Sequence, residues 1–361
     1  MLFFLLFSIL IAFLCIGKDK KSQVIITITI LSILCFLCMF RGESVCVDTA
    51  HYIDGFKSGD LGNRYGLLYS WLYRLCVLAG GGPHMFLALM AIITYVPLIY
   101  LSKKVDSPSA FLLLFIACPA FFLETFNLIR QTAAMSFSLL SYYFVDNDKK
   151  LKAGIMFVIA SFCHSISIIF LPFYFLVKLK VPQKLMYLFL FGSLLVGLVL
   201  SMDLFYDTMD EVVQYMMLMP IFNNGISTGD IISHYVESEE LTGEWGIVGI
   251  LTNTLPLTML CATSYSNSDG EKNHMALYNF FFFGTVLGNL FGSSAFNARI
   301  ASPLTIACLL YVAYIYDKVS FKQKRWIKIA FLIMIVVFVR KLWGYYIDVH
   351  SLGIIPYSFC F

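Results

Sequence analysis

Long apolar runs separated by short charged breaks make up most of this chain. The runs at 23–40, 185–201 and 276–290 approach or reach the roughly 17–25 residues that a helix needs to cross a bilayer. On this pattern the predicted helices are 1–17, 23–40, 85–102, 108–124, 128–145, 151–163, 165–178, 185–201, 245–263, 275–293, 300–316 and 326–342. The expected architecture is an all-α polytopic integral membrane protein with about 11–13 hydrophobic helices, read as a single transmembrane domain over residues 1–361. Two stretches leave a choice. The segment 65–79 is apolar but short and carries Arg74, so it reads as an interfacial or re-entrant helix. The other reading is a span at which the charge rule fails. The run 151–178 has lysines at both ends, which favours a hairpin turning near His164 over one straight span.

Composition supports the membrane reading. Hydrophobic residues make up 60% of the chain and charged residues 13%, against about 25% charge in soluble domains. The net charge of +3 matters less than its distribution. Basic residues gather at 18–21, 103–104, 149–152, 178–184, 272 and 318–328, which the positive-inside rule places in the cytoplasm. The loops at 41–64 and 202–244, the latter acidic, then lie outside. The run 1–17 has no basic residue before it and lysines after it, the reverse of a signal peptide, and is expected to be a retained helix. The ten cysteines read as small apolar packing residues, with Cys46 and Cys360 the pair that could both lie outside.

Against this apolar background a few polar residues carry the candidate chemistry. Arg130 and Gln131 open a predicted helix, where a guanidinium fork and the helix dipole both favour an anion such as phosphate. The alternative is an interfacial arginine reaching for lipid head groups. Glu124 precedes them, as an ion-pair partner or an independent base. His164 sits between two apolar arms, either as a packed core residue or as a titrating group. Arg41 and Asp48 leave the second helix, and Asp48 and Tyr52 share a face if that loop is helical. Arg299, in Asn297-Ala298-Arg299, again places an arginine at an outer helix start. Together Arg41, Arg130 and Arg299 suit a diphosphate, and apolar surroundings suit an isoprenoid tail. Walker, HExxH and dinucleotide fingerprints are absent, and Asp203, Asp207, Asp210 and Glu211 read as a solvated helix face rather than metal ligands. No cofactor and no nucleic-acid partner is expected, and a metal requirement stays open.

The order Arg41, Asp48, Tyr52, Tyr65, Leu67-Leu68, Asn127 to Arg130-Gln131-Thr132-Ala133-Ala134, Ala160-Ser161-Phe162-Cys163-His164, Asn297-Ala298-Arg299 and Pro356-Tyr357 resembles the EpsG-like, Wzy-type polysaccharide polymerases. The similarity covers most of the chain and is strongest over residues 36–178. It implies a glycosyltransferase of GT-C-like architecture in the bacterial cytoplasmic membrane. Such enzymes transfer a glycan from undecaprenyl diphosphate to the non-reducing end of a lipid-linked repeat unit, for O-antigen, capsule or exopolysaccharide. Undecaprenyl-diphosphate-linked oligosaccharides and membrane lipid are then the expected partners, with a flippase and a chain-length regulator as candidate protein partners. The three arginines would hold the diphosphate, His164 or Asp48 would deprotonate the acceptor, and Gln131 would position sugar or phosphate. Where the family often has a glutamate before the equivalent of Tyr65, this chain has Gly62-Asn63-Arg64, leaving Asp54 or Asp60 to substitute if an acid is needed. Two alternatives are a lipid-linked oligosaccharide flippase, which would need polar residues through both halves of a pathway where here they concentrate outside, and a transferase using a polyprenyl-phosphate sugar donor, which would share the fold, the side of the membrane and the arginines.

Overall fold

A computed structural model describes residues 1–16, 18–59, 67–118, 121–200, 250–265, 274–291, 301–347 and 357–360. Among these the chain is a helical bundle, and its β pairing is one isolated bridge between Arg41 and Phe359. The helices in chain order are α1 (Leu2–Cys15), α2 (Lys20–Met39), α3 (Val47–Ser58), α4 (Leu67–Leu78), α5 (Pro83–Ser102), α6 (Pro108–Ala117), α7 (Glu124–Asn127) and α8 (Ile129–Asp146). They continue as α9 (Lys150–Cys163), α10 (Ile166–Ile169), α11 (Phe173–Leu176), α12 (Gln183–Leu200), α13 (Leu255–Ser264), α14 (Met275–Phe291), α15 (Cys308–Ile315) and α16 (Phe321–Ile347). Arg299, the 202–244 loop and Tyr65 lie outside the described residues.

Two helices, α2 and α5, are each long and apolar enough to cross a bilayer, and eight further apolar helices run 10–17 residues. Several predicted spans are therefore shorter than expected, and proline explains two of the cuts. The run predicted to 124 stops at Ala117, because Cys118 precedes Pro119 and takes an extended ψ of 113°. The predicted arm 165–178 is not one helix but the single turns α10 and α11, interrupted around Pro172. It nevertheless runs back along α9. The Ser167 hydroxyl donates to the Ala160 carbonyl, the Tyr174 ring lies 5.0 Å from Phe157, and the Tyr174 hydroxyl donates to Ser141. The hairpin reading of 151–178 thus describes the chain path, although only one arm is a regular helix.

The segment after α2 folds into α3, which the sequence left conditional. Asp48 sits in its first turn, Gly59 closes it at φ 83°, and Thr49, Tyr52, Ile53 and Phe56 form a buried stripe at helical spacing. Asp48 and Tyr52 are therefore one turn apart on a helix. At roughly 1.5 Å per residue, α4 is about 18 Å long, too short for a core of about 30 Å. It buries Tyr69 and Cys76 and exposes Leu67, Trp71, Arg74, Leu75 and Leu78, which fits the interfacial expectation.

The main core centres on α6, all of whose residues are buried against α1, α2, α15 and α16. A second cluster gathers Tyr52 and Phe56 from α3, Tyr69 from α4, Phe86 from α5, Ile129 and Ala133 from α8, and Cys163 from α9. The predicted cytoplasmic charges collect at one end of the bundle. Lys20 and Lys318 both reach Asp106, at 3.5 and 3.2 Å, and Asp146 lies 2.8 Å from His274. The imidazole of His274 stacks on Tyr314 at 4.1 Å. Asn279 donates to the carbonyls of Val177 and Leu179, fixing the Lys178 break near that end. The 40–44 loop, α3, α7 and His164 lie at the other end. All ten cysteines are free thiols.

Candidate active site

Arg41 occupies the turn between α2 and α3 and is completely buried. Its Nε donates to the Thr49 hydroxyl at 2.9 Å, and its Nη1 donates to the Cys38 carbonyl at 2.9 Å and lies 3.0 Å from the Cys38 sulfur. The guanidinium carbon stands 5.9 Å from the centre of the Phe126 ring. Nη2 has no hydrogen-bond partner among the described residues, and no carboxylate pairs with Arg41 there. Burying a cation against neutral partners is costly, by several kcal/mol for an ion without a counter-charge. A buried charge is ordinarily paired, which makes this guanidinium a candidate anion site.

Both candidate carboxylates stand close by. The Cys46 thiol, in the same turn, lies within electrostatic range of Arg41, Glu124 and Asp48. Burial pushes that thiol up to about 12, while Arg41 acts in the opposite direction. Packing of α3 against α7 accounts for the grouping, and the Asp48 backbone N–H donates to Asn127 Oδ1 at 3.4 Å. Asp48 and Glu124 are half-buried.

Arg130 enters from α8. Its guanidinium lies 5.6 Å from the ring centre of Tyr69, and Tyr69 feels both Arg130 and Arg41. Tyr52 stacks obliquely on the same Tyr69 ring at 6.2 Å. No side chain caps the N-terminus of α8, so the positive end of an 18-residue helix dipole adds to Arg130 at this position. Gln131 is buried beside Arg130 in the same turn.

His164 follows α9 in extended backbone, and Arg130 is the charge that acts on its ring. The Ile166 N–H donates to His164 Nδ1 at 3.2 Å. That bond assigns the ring proton to Nε2, which leaves His164 a donor rather than a proton acceptor. A second proton would break this bond and set two cations together.

Seven of the eight residues expected from sequence therefore meet at one end of the bundle: Arg41, Asp48, Tyr52, Glu124, Arg130, Gln131 and His164. The eighth, Arg299, lies outside the described residues. Asp54 pairs with Lys57 at 4.0 Å on the exposed side of α3, away from this group. Sequence reasoning missed Thr49 and Tyr69, which hold the two arginines. The buried stripe on α3 contained the only signal for Thr49, and nothing local marks Tyr69. Among the described residues no three His, Cys, Asp or Glu side chains group as metal ligands. A family model described as the EpsG family matches residues 23–359. No curated protein and no solved structure matches the chain.

Proposed function

The chain belongs to the EpsG family, membrane proteins of polysaccharide biosynthesis associated with glycosyl transfer, and from this we propose that it is a Wzy-type polymerase of GT-C-like architecture. It transfers a growing glycan from undecaprenyl diphosphate to the non-reducing end of a lipid-linked repeat unit, on the outer face of a bacterial cytoplasmic membrane. The observation that supports this reading is the buried Arg41 guanidinium, whose Nη2 has no hydrogen-bond partner and which pairs with no carboxylate among the described residues.

In this reading Arg41, Arg130 and Arg299 hold the donor diphosphate, and the N-terminus of α8 contributes its dipole. An acceptor hydroxyl attacks the anomeric carbon of the donor glycan. A new C–O bond forms, the bond to diphosphate breaks, and undecaprenyl diphosphate leaves with the electron pair. Asp48 takes the hydroxyl proton and Glu124 is the second carboxylate in reach. His164, donating through Nε2, joins the arginines in stabilising charge on the leaving group. Gln131 and Tyr52 orient the sugar. A flippase that delivers the repeat unit and a chain-length regulator are the protein partners this reaction implies.

Disrupting the gene tests the reading directly. Loss of a polymerase leaves single repeat units on the surface glycan. Loss of a flippase leaves no surface units and traps the lipid-linked unit inside. The second pattern would overturn the proposal.

A further inference from the structure

The segment 357–360 lies antiparallel to the turn that carries Arg41. The Gly42 N–H donates to the Ser358 carbonyl at 2.8 Å, and the Cys360 N–H donates to the Phe40 carbonyl at 3.0 Å. Arg41 and Phe359 form the bridge between these two bonds, and the Ser44 and Ser358 hydroxyls meet at 2.9 Å. The Tyr357 hydroxyl donates to the Leu37 carbonyl at 2.6 Å.

These contacts complete the end of α2. A helix leaves its last carbonyls without partners. Here Phe36 O accepts from the Phe40 N–H, Leu37 O from Tyr357, and Cys38 O from Arg41 itself. The close approach requires a glycine. A Cβ on residue 42 would collide with the Ser358 hydroxyl and come within 3.1 Å of the Phe359 carbonyl.

We infer that segment 357–360 is a clasp that sets the direction of the Arg41 guanidinium, which makes Gly42, Tyr357 and Ser358 positioning residues for the anion site. This rests on the reading of Arg41 given above. With the backbone held by the clasp, Nε held by Thr49 and Nη1 by Cys38, only Nη2 is left to meet an anion. Shifting the turn by a few tenths of an ångström misdirects it, and loss of an aligned charge-assisted bond weakens binding about tenfold or more.

The test uses the full chain in detergent, with inorganic pyrophosphate as the calorimetric probe and the melting temperature recorded alongside. Gly42→Ala is expected to weaken pyrophosphate binding about tenfold, and Gly42→Ala with Ser358→Gly to regain most of it, with melting unchanged. Tyr357→Phe, which removes one hydroxyl, is expected to weaken binding about threefold and covers the case that Gly42→Ala does not accumulate. Wild-type affinity in Gly42→Ala, or in Tyr357→Phe if only that variant is stable, would overturn the clasp, provided Arg41→Met abolishes binding. If Arg41→Met binds as wild type does, the anion site itself is wrong, and the clasp falls with it.

Discussion

Replacing Arg41 by methionine should separate stability from activity. Methionine keeps the apolar stem and removes the charge. The loss is two hydrogen bonds from a charged donor to oxygen, about 1.5–3 kcal/mol each, a weaker one to the Cys38 sulfur, and a cation–π contact of about 1 kcal/mol. The gain is release from the desolvation penalty of a buried ion, several kcal/mol, plus a sulfur–aromatic contact with Phe126. The two sides cancel to within about 2 kcal/mol, so Arg41→Met should accumulate and melt much like the wild type. Polymerisation should fall by at least about a hundredfold, the cost of removing one donor aimed at developing charge. The assay pairs a glycan ladder on a gel with melting of the purified protein. A normal ladder would remove Arg41 from the site. A variant that fails to accumulate, or melts far below the wild type, would show that the charge serves the fold and is not held for a substrate.

Three further outcomes follow from the site. His164→Gln keeps an N–H donor at similar reach and should retain a visible fraction of long chains, whereas His164→Ala should lose about a hundredfold; equal loss in both would favour a base instead. Tyr69→Phe should leave chain length unchanged, while Tyr69→Leu removes a ring worth about 0.5–2 kcal/mol to Arg130 and should shorten chains at unchanged protein level; equal effects would mean that the ring does not hold the arginine. A membrane-impermeant maleimide added to intact cells at neutral pH should label the partly exposed Cys360 and spare Cys46, whose thiol is pushed up to about 12; rapid labelling of Cys46 would contradict its burial.

Much of this organisation was legible because lipid and protein core both select apolar runs, and lysines mark the breaks. The helices α2, α5, α8 and α12 fall within a few residues of their predicted bounds for that reason. Arg130 and His164 stood out because a polar group beside a long apolar run needs a compensating reason. Other features depend on contacts that a local pattern does not encode. Thr49 matters through Arg41, and Tyr69 through Arg130, and neither partner is adjacent in sequence. The clasp joins residues more than 300 positions apart, with a glycine as its sole local trace. The tautomer of His164 also needed coordinates, since sequence cannot assign a ring proton that the Ile166 N–H decides.

The two ends of the described bundle treat charged groups differently, and that difference bears on chemistry against transport. At the lysine-rich end the carboxylates of Asp106 and Asp146 are matched, by two lysines and by His274, and Gln23 accepts from Ser107 and Ser109 and donates to Lys18, while the buried hydroxyls of Ser109 and Tyr316 have no hydrogen-bond partner among the described residues. At the other end a buried guanidinium keeps one nitrogen without a partner among the described residues, a second arginine sits in the first turn of α8, and a histidine accepts from a backbone N–H. A flippase must offer a polar head group a continuous path between the two ends. Through the middle of the described bundle runs α6, every residue buried and all but Pro108 and Ser109 alanine, leucine, isoleucine or phenylalanine, so this helix itself lines no polar path. In the proposed reaction the buried Arg41 guanidinium, its Nη2 without a hydrogen-bond partner among the described residues, binds the diphosphate where it already lies and strengthens its hold as the glycosidic bond breaks.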